Sequence, residues 1–177
     1  MDHMSVCIAG SQYIPSIEYF AHWKHHGLIT LEAHEHYQKR TWRNKTAILG
    51  PEAPHFLTVP LQKGKHQQMP VRDVLISYDE PWEKIHLNSM KTAYGKTAFF
   101  DEVLPALEQL YGQQYDSLWE LNMAGIQLVK SLLTGPWNFV LSDDFHISYA
   151  PDDTDLRKGI PAGAGSITAN EIPGYTQ

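Results

Sequence analysis

The feature that most constrains this chain is a change of hydrophobic period at Asp79. Beyond it Trp82, Ile85, His86, Met90, Ala93 and Tyr94 recur at helical spacing, and Phe99, Val103, Leu107 and Leu110 continue the pattern. Leu118 to Leu133 adds one more strongly periodic helix, with Asp116 and Ser117 as cap candidates. Helices with one apolar face must cover something, and the shorter apolar runs before Asp79 are the natural partner. The expected fold class is therefore α/β: a small sheet built mainly from the N-terminal half, covered by helices, with a helical second half.

Within the first half, Val6 to Ala9 is a short apolar run followed by Gly10 and Ser11. Pro15 then precedes an amphipathic segment carrying Ile17, Phe20, Ala21 and Lys24, which Gly27 closes. This reads as strand, turn and helix, with Pro15 near the first turn, where its missing donor costs nothing. Ile29, Leu31 and Ala33 alternate with Thr30, Glu32 and His34, the period of a half-buried strand. From Tyr37 to Leu49 the spacing of Trp42, Ala47, Ile48 and Leu49 predicts a helix closed by Gly50 and Pro51. Phe56–Leu61, Val71–Tyr78 and Phe139–Leu141 read as strands. Beyond Asp152 the chain is rich in Gly, Pro, Ala and Thr and has too little apolar content to form a core by itself.

A length of 177 residues fits one domain with a full core, and 42% hydrophobic against 19% charged residues excludes a disordered chain. No run of eighteen apolar residues predicts a membrane span. MDHMSVCIAGS lacks the charged flank and long apolar segment of a secretory signal, so the expected location is the cytoplasm. Cys7, the single cysteine, lies in an apolar run and reads as a buried structural thiol. A formal net charge of −6 argues against general nucleic-acid binding.

Against that acidic background Lys39, Arg40, Arg43 and Lys45 crowd into a few positions of EAHEHYQKRTWRNKTAIL. On the predicted helix Lys39 and Arg43 share a face, and Arg43, Asn44 and Lys45 supply guanidinium, amide and ammonium donors within a turn. Such a group suits a planar or tetrahedral anion. It equally fits a solvated cationic face, or an internal ion pair with Glu32 or Glu35.

His86 shares the apolar face of its predicted helix with Trp82 and Met90. It is either a half-buried histidine meeting a polar partner or a general base. His34 and His36, two apart, would share a face of a strand; a metal site would need a third ligand from Glu32, His86 or His146, and none is assigned. Asn122 reads as a buried amide or a ligand contact. The GxGxxG, GxxxxGK[ST], HxGH and GxSxG patterns are all missing, which leaves no motif for a dinucleotide, a P-loop nucleotide or a hydrolase triad.

Several blocks together resemble the WbqC-like protein family: Tyr13, Ile14, Pro15, Glu18, Tyr19 and Phe20 after the first strand; His34 to Leu49; LTVPL at Leu57 to Leu61; DVLIS at Asp73 to Ser77; Trp82, His86, Ala93 and Tyr94; Phe99 and Phe100; and LWELN ending at Asn122. The resemblance implies transfer of an acyl or aminoacyl group, glycine among the candidates, to a nucleotide-linked or lipid-linked amino sugar in O-antigen or other surface-polysaccharide biosynthesis. A non-catalytic protein that recognises an anionic glycan precursor or a partner enzyme is the alternative. It adds weight to Lys39, Arg43, Asn44 and His86. The chain departs from the family at Ala9, Gly10 and Ser11, where many members carry His/Gln-Pro, and at Glu18, where many carry glycine. Similar proteins continue past a segment like Tyr175 to Gln177.

The candidate set is thus His86 as the catalytic residue and Lys39, Arg43, Asn44, Lys45 and Tyr19 for substrate binding, with no metal. The expected ligand is an anionic small molecule, a nucleotide-sugar or a phosphate-bearing glycan precursor; the cofactor and oligomeric state are unknown. The domain expectation is one α/β domain over residues 1–151 and a Gly/Pro-rich segment over 152–177.

Overall fold

A computed structural model describes residues 6–50, 52–64, 68–135 and 137–157. The region from residue 158, including Tyr175 to Gln177, lies outside the described residues. In chain order the elements are β1 (Cys7–Gly10), α1 (Ile17–His26), β2 (Leu28–Glu32), β3 (Lys45–Ile48), β4 (His55–Thr58), a 3-10 turn (Val71–Asp73), α2 (Trp82–Tyr94), α3 (Phe100–Tyr111), α4 (Leu118–Leu132), β5 (Asn138–Leu141) and β6 (Thr154–Asp155).

The strands form two sheets. One has four strands in the order β5-β2-β1-β6, every neighbour parallel. Parallel neighbours cannot be joined by a tight turn, so α1 makes the crossover from β1 to β2. Ser16 caps α1 by accepting from the Tyr19 N–H, and Gly27, at φ +73°, lets the chain turn back toward β2 while its N–H donates to the Trp23 carbonyl. All four residues of β1 are buried, as a strand flanked on both sides requires. The α/β expectation is borne out, with β3 and β4 forming a separate antiparallel pair.

Two expectations for local structure are corrected. Tyr37–Leu49 is no helix: Lys39 to Arg43 lie in turns, and Lys45–Ile48 is strand β3. Thr46 and Ile48 are buried while Ala47 is exposed, a period of two that a run this short cannot distinguish from helical spacing until β4 pairs with it. Val71–Tyr78 is a 3-10 turn followed by single bridges, Leu75 to Ser117 and Leu61 to Ile76. The Val71 N–H donates to the Glu35 carbonyl as part of the His36–Pro70 bridge, and the Asp73 N–H then donates to the Pro70 carbonyl, closing a turn where the β-branched residues favour a strand.

Two apolar cores result. Cys7, Ala9, Ile29 and Leu31 of the parallel sheet pack with Tyr19, Phe20 and Trp23 of α1. Ile48, Leu57, Trp82, Met90, Leu107 and Tyr111 join the antiparallel pair to α2 and α3. Helix α4 links them, giving Leu118 and Leu121 to the second core and Ile126 to the first. A capping box fixes its start: Ser117 accepts from the Glu120 N–H and Glu120 accepts from the Ser117 N–H. No helix among the described residues is long and apolar enough to cross a membrane.

Candidate functional site

In a parallel sheet, ligands bind beyond the carboxyl ends of the strands, where neighbouring connections diverge. Here the chain leaves β1 toward β2 on one side, while β6 lies on the other. The loop after β1, from Ser11 to Ser16, crosses this edge and is fastened to the segment around β3. The Tyr13 N–H donates to the Trp42 carbonyl at 2.9 Å, and the Thr46 hydroxyl donates to the Ile14 carbonyl at 3.0 Å.

Beneath the loop lies a buried charge network. Arg43 grips Glu35 with two hydrogen bonds, Nε to Oε1 at 2.9 Å and Nη2 to Oε2, and Nη2 also donates to the Arg157 carbonyl. Arg43 is 3% and Glu35 2% exposed, so this is an internal pair rather than a free anion grip. Burial pushes the Glu35 carboxyl up, against the opposing pull of Arg43. Arg157, just past β6, donates to Asp155 and reaches the fully buried Glu32, which also accepts from Ser142. Gly10 permits this packing: a Cβ there would lie 2.8 Å from Glu35 Oε1 and 3.2 Å from Arg43 Nη2. Asn122 on α4 donates to the Arg43 carbonyl and to the Ser11 hydroxyl, while its own Oδ1 is buried without a partner.

Above the loop opens a cleft of about 280 Å³, walled by Gln12, Tyr13, Glu18, Trp42, Lys45 and Thr46 among others. The Lys45 ammonium stands over two half-exposed rings, 5.1 Å from the centre of Trp42 and 4.5 Å from that of Phe56. The hairpin register explains this. Ala47 faces Phe56 across the strands, and Lys45, two residues from Ala47, projects from the same face. Glu18, exposed in the first turn of α1, brings a carboxylate to the same cleft.

Tyr13 connects the cleft wall to His86. Its hydroxyl lies 2.8 Å from His86 Nδ1 and is hydrogen-bonded to the Tyr111 hydroxyl. The His86 ring also bonds the Thr58 backbone. All three groups are satisfied when His86 gives its other ring N–H to Thr58, Tyr13 donates to His86 and Tyr111 donates to Tyr13. Burial holds His86 down to about 4, with a smaller push from His55, so the ring is neutral near pH 7; burial pushes the Tyr13 and Tyr111 hydroxyls well up.

The predicted site residues therefore disperse. Lys45 alone of them lines the cleft, and His86 is 4% exposed behind Tyr13. Lys39 is exposed in a turn. Asn44 donates to the Val59 carbonyl, and the buried Tyr19 donates to the Gly10 carbonyl. His34 meets the Ser142 carbonyl and His36 bridges Pro70, and no group of three or more metal-ligating side chains occurs among the described residues. Cys7 is buried, its thiol pushed up to about 12 by burial and by Asp155. Sequence reasoning missed Trp42, Phe56 and Tyr13 as cleft or relay residues. Glu18 stood out there only through the family resemblance, and no spacing rule links Phe56 to Lys45 before the hairpin pairs.

Residues 10–158, which contain the loop, the cleft and the charge network, match the WbqC-like protein family. The chain belongs to that family. A similar member is "Uncharacterized protein Rv1507c" of Mycobacterium tuberculosis (strain ATCC 25618 / H37Rv), 30% identical over 146 residues, which are 78% of this chain. The chain spans 62% of the length of that relative. No solved structure matches this WbqC-like chain.

Proposed function

We propose that this WbqC-like protein transfers an acyl or aminoacyl group, glycine among the candidates, to a phosphate-bearing amino sugar in surface-polysaccharide biosynthesis. The observation that carries this reading is the pairing, in one cleft, of a cation seated on two aromatic rings with an exposed carboxylate. Lys45 suits a phosphate, the Trp42 face suits the apolar face of a sugar ring, and Glu18 suits an amine and can take its proton as the nitrogen attacks the carbonyl of an activated acyl donor, whose leaving group departs with the electron pair of the broken acyl bond. His86 serves as a positioning residue: neutral and buried, it accepts from Tyr13 and fixes the cleft wall.

The test is incubation of the full chain with amino-sugar phosphates and activated acyl or aminoacyl donors, read by the mass of the acceptor. The expected product gains one acyl group, and Glu18→Gln abolishes it while retaining ligand-induced thermal stabilisation. A second reading, a non-catalytic binder of an anionic glycan precursor, is favoured by the burial of His86, which leaves no histidine among the cleft-lining residues. Saturable binding without a mass gain from any donor would select it. Neither binding nor product would reject both.

A further inference from the structure

A second depression adjoins the cleft. It is an open groove of about 660 Å³ and shares Ile14, Ser16, Glu18, Thr46 and Ala47 with the cleft. Beyond these shared residues the wall is mainly apolar, with Ile17 from α1, Ile48 from β3, Met90 from α2, and Phe99, Val103 and Leu107 at and within α3; Tyr94 and Thr97 also line it. Ile17 is 67% and Phe99 76% exposed, a large apolar area for a protein to leave in water. The volume lies in the range of small-molecule sites, roughly 300–1,000 Å³.

Among the described residues, two of the four non-glycine positions with positive φ lie in this groove, the others being Arg40 and Gln68. Ile14 has φ 43° and Phe99 φ 66°, and both line this groove. Positive φ is sparsely populated for bulky residues and unusual for a β-branched one. Such a residue is strained and persists where the surroundings or a function hold it, commonly at ligand clamps. Phe99 stands at the start of α3 without a side-chain cap bond, so it is strained, exposed and apolar together.

We infer that the acceptor is an amphiphile, a sugar phosphate carried on a hydrocarbon chain, with its head group between Lys45 and Glu18 and its chain along the Ile14–Phe99 groove. This rests on the reading of the cleft given above and narrows it, because a nucleotide would place a polar, hydrogen-bonding moiety where the wall is apolar. The shared wall of the two depressions and the charge of Lys45 in the polar one select a lipid phosphate over an apolar peptide.

The test is calorimetric titration of the full chain with four probes below their micelle concentrations: glucosamine 1-phosphate, its dodecyl phosphodiester, the corresponding uridine diphosphate sugar, and dodecyl maltoside as an uncharged chain. The expected result is at least tenfold tighter binding of the dodecyl phosphodiester than of the sugar phosphate. Lys45→Ala weakens both. Phe99→Asn removes most of the chain-dependent gain and leaves sugar-phosphate affinity unchanged. Asparagine tolerates the left-handed backbone, so this variant should fold. A Lys45-dependent sugar phosphate that gains nothing from the chain overturns the groove inference and leaves the cleft reading standing. So does a nucleotide sugar that binds tighter than the phosphodiester. Dodecyl maltoside binding as tightly as the phosphodiester, with no effect of Lys45→Ala, overturns both readings, as does binding of no probe.

Discussion

Arg43 and Lys45 lie two residues apart in one basic block, yet they belong to regions with opposite physics. Arg43 faces inward beneath the β1 loop and is neutralised by Glu35 away from water. Lys45 stands on aromatic rings at the cleft and, among the described residues, forms no ion pair. The difference teaches that a charge run in a sequence is a poor unit of function. A turn followed by a short strand assigns neighbouring cations to the interior and to the surface, and only those left facing a cavity are free to meet a ligand.

The contrast is broken most directly at the buried pair. Arg43→Ala leaves Glu35 uncompensated in the interior, which should cost about 3–5 kcal/mol. In a chain of this size that lowers Tm by at least about 6 °C by calorimetry. The double variant Arg43→Met, Glu35→Leu should recover most of the loss, because it removes both charges. A single variant with unchanged Tm would mean that the pair does not support the fold.

A smaller effect is expected at His86. Its folded value of about 4 lies below the roughly 6.5 of an unfolded histidine, so acid protonates the unfolded chain first. The contribution of His86 is complete above about pH 6.5 and is lost as pH falls toward 4. The wild type should lose stability with a slope of up to about 1.4 kcal/mol per pH unit more than His86→Gln in that window. Urea midpoints between pH 7.5 and 5 measure this, and parallel profiles would show that His86 is not buried neutral.

The smallest stability change belongs to Lys45. Lys45→Ala removes a cation over half-exposed rings, worth about 0.5–1 kcal/mol. Ligand affinity in the cleft should nonetheless fall at least tenfold in the same titration. A variant that loses stability like Arg43→Ala while keeping affinity would reverse the comparison between the two cations.

How far the site was legible varies residue by residue. The capped helices α1 and α4 and the helix carrying His86 follow from local spacing and cap chemistry, and their limits lie close to those read from the sequence. Glu35 was visible as one of two candidate partners for Arg43, but choosing between Glu32 and Glu35 required β2 to end at Glu32 and the chain to turn. Tyr13 and Tyr111 are 98 positions apart, and nothing local ties either to His86. The segment 37–49 failed as a helix because its apolar residues satisfy two periods equally over so short a run.

The sequence by itself determined the α/β class, the helical second half, the burial of Cys7 and the family, because these depend on periodicity, caps and residue order. The tertiary structure decided which charges are paired and which are free, that Lys45, Glu18 and Trp42 share a cleft, and that an apolar groove adjoins it. Those relations join residues from separate elements. They exist only once the loop after β1, strand β3 and helix α3 converge on one wall, because burial and electrostatic pairing are properties of neighbours in space.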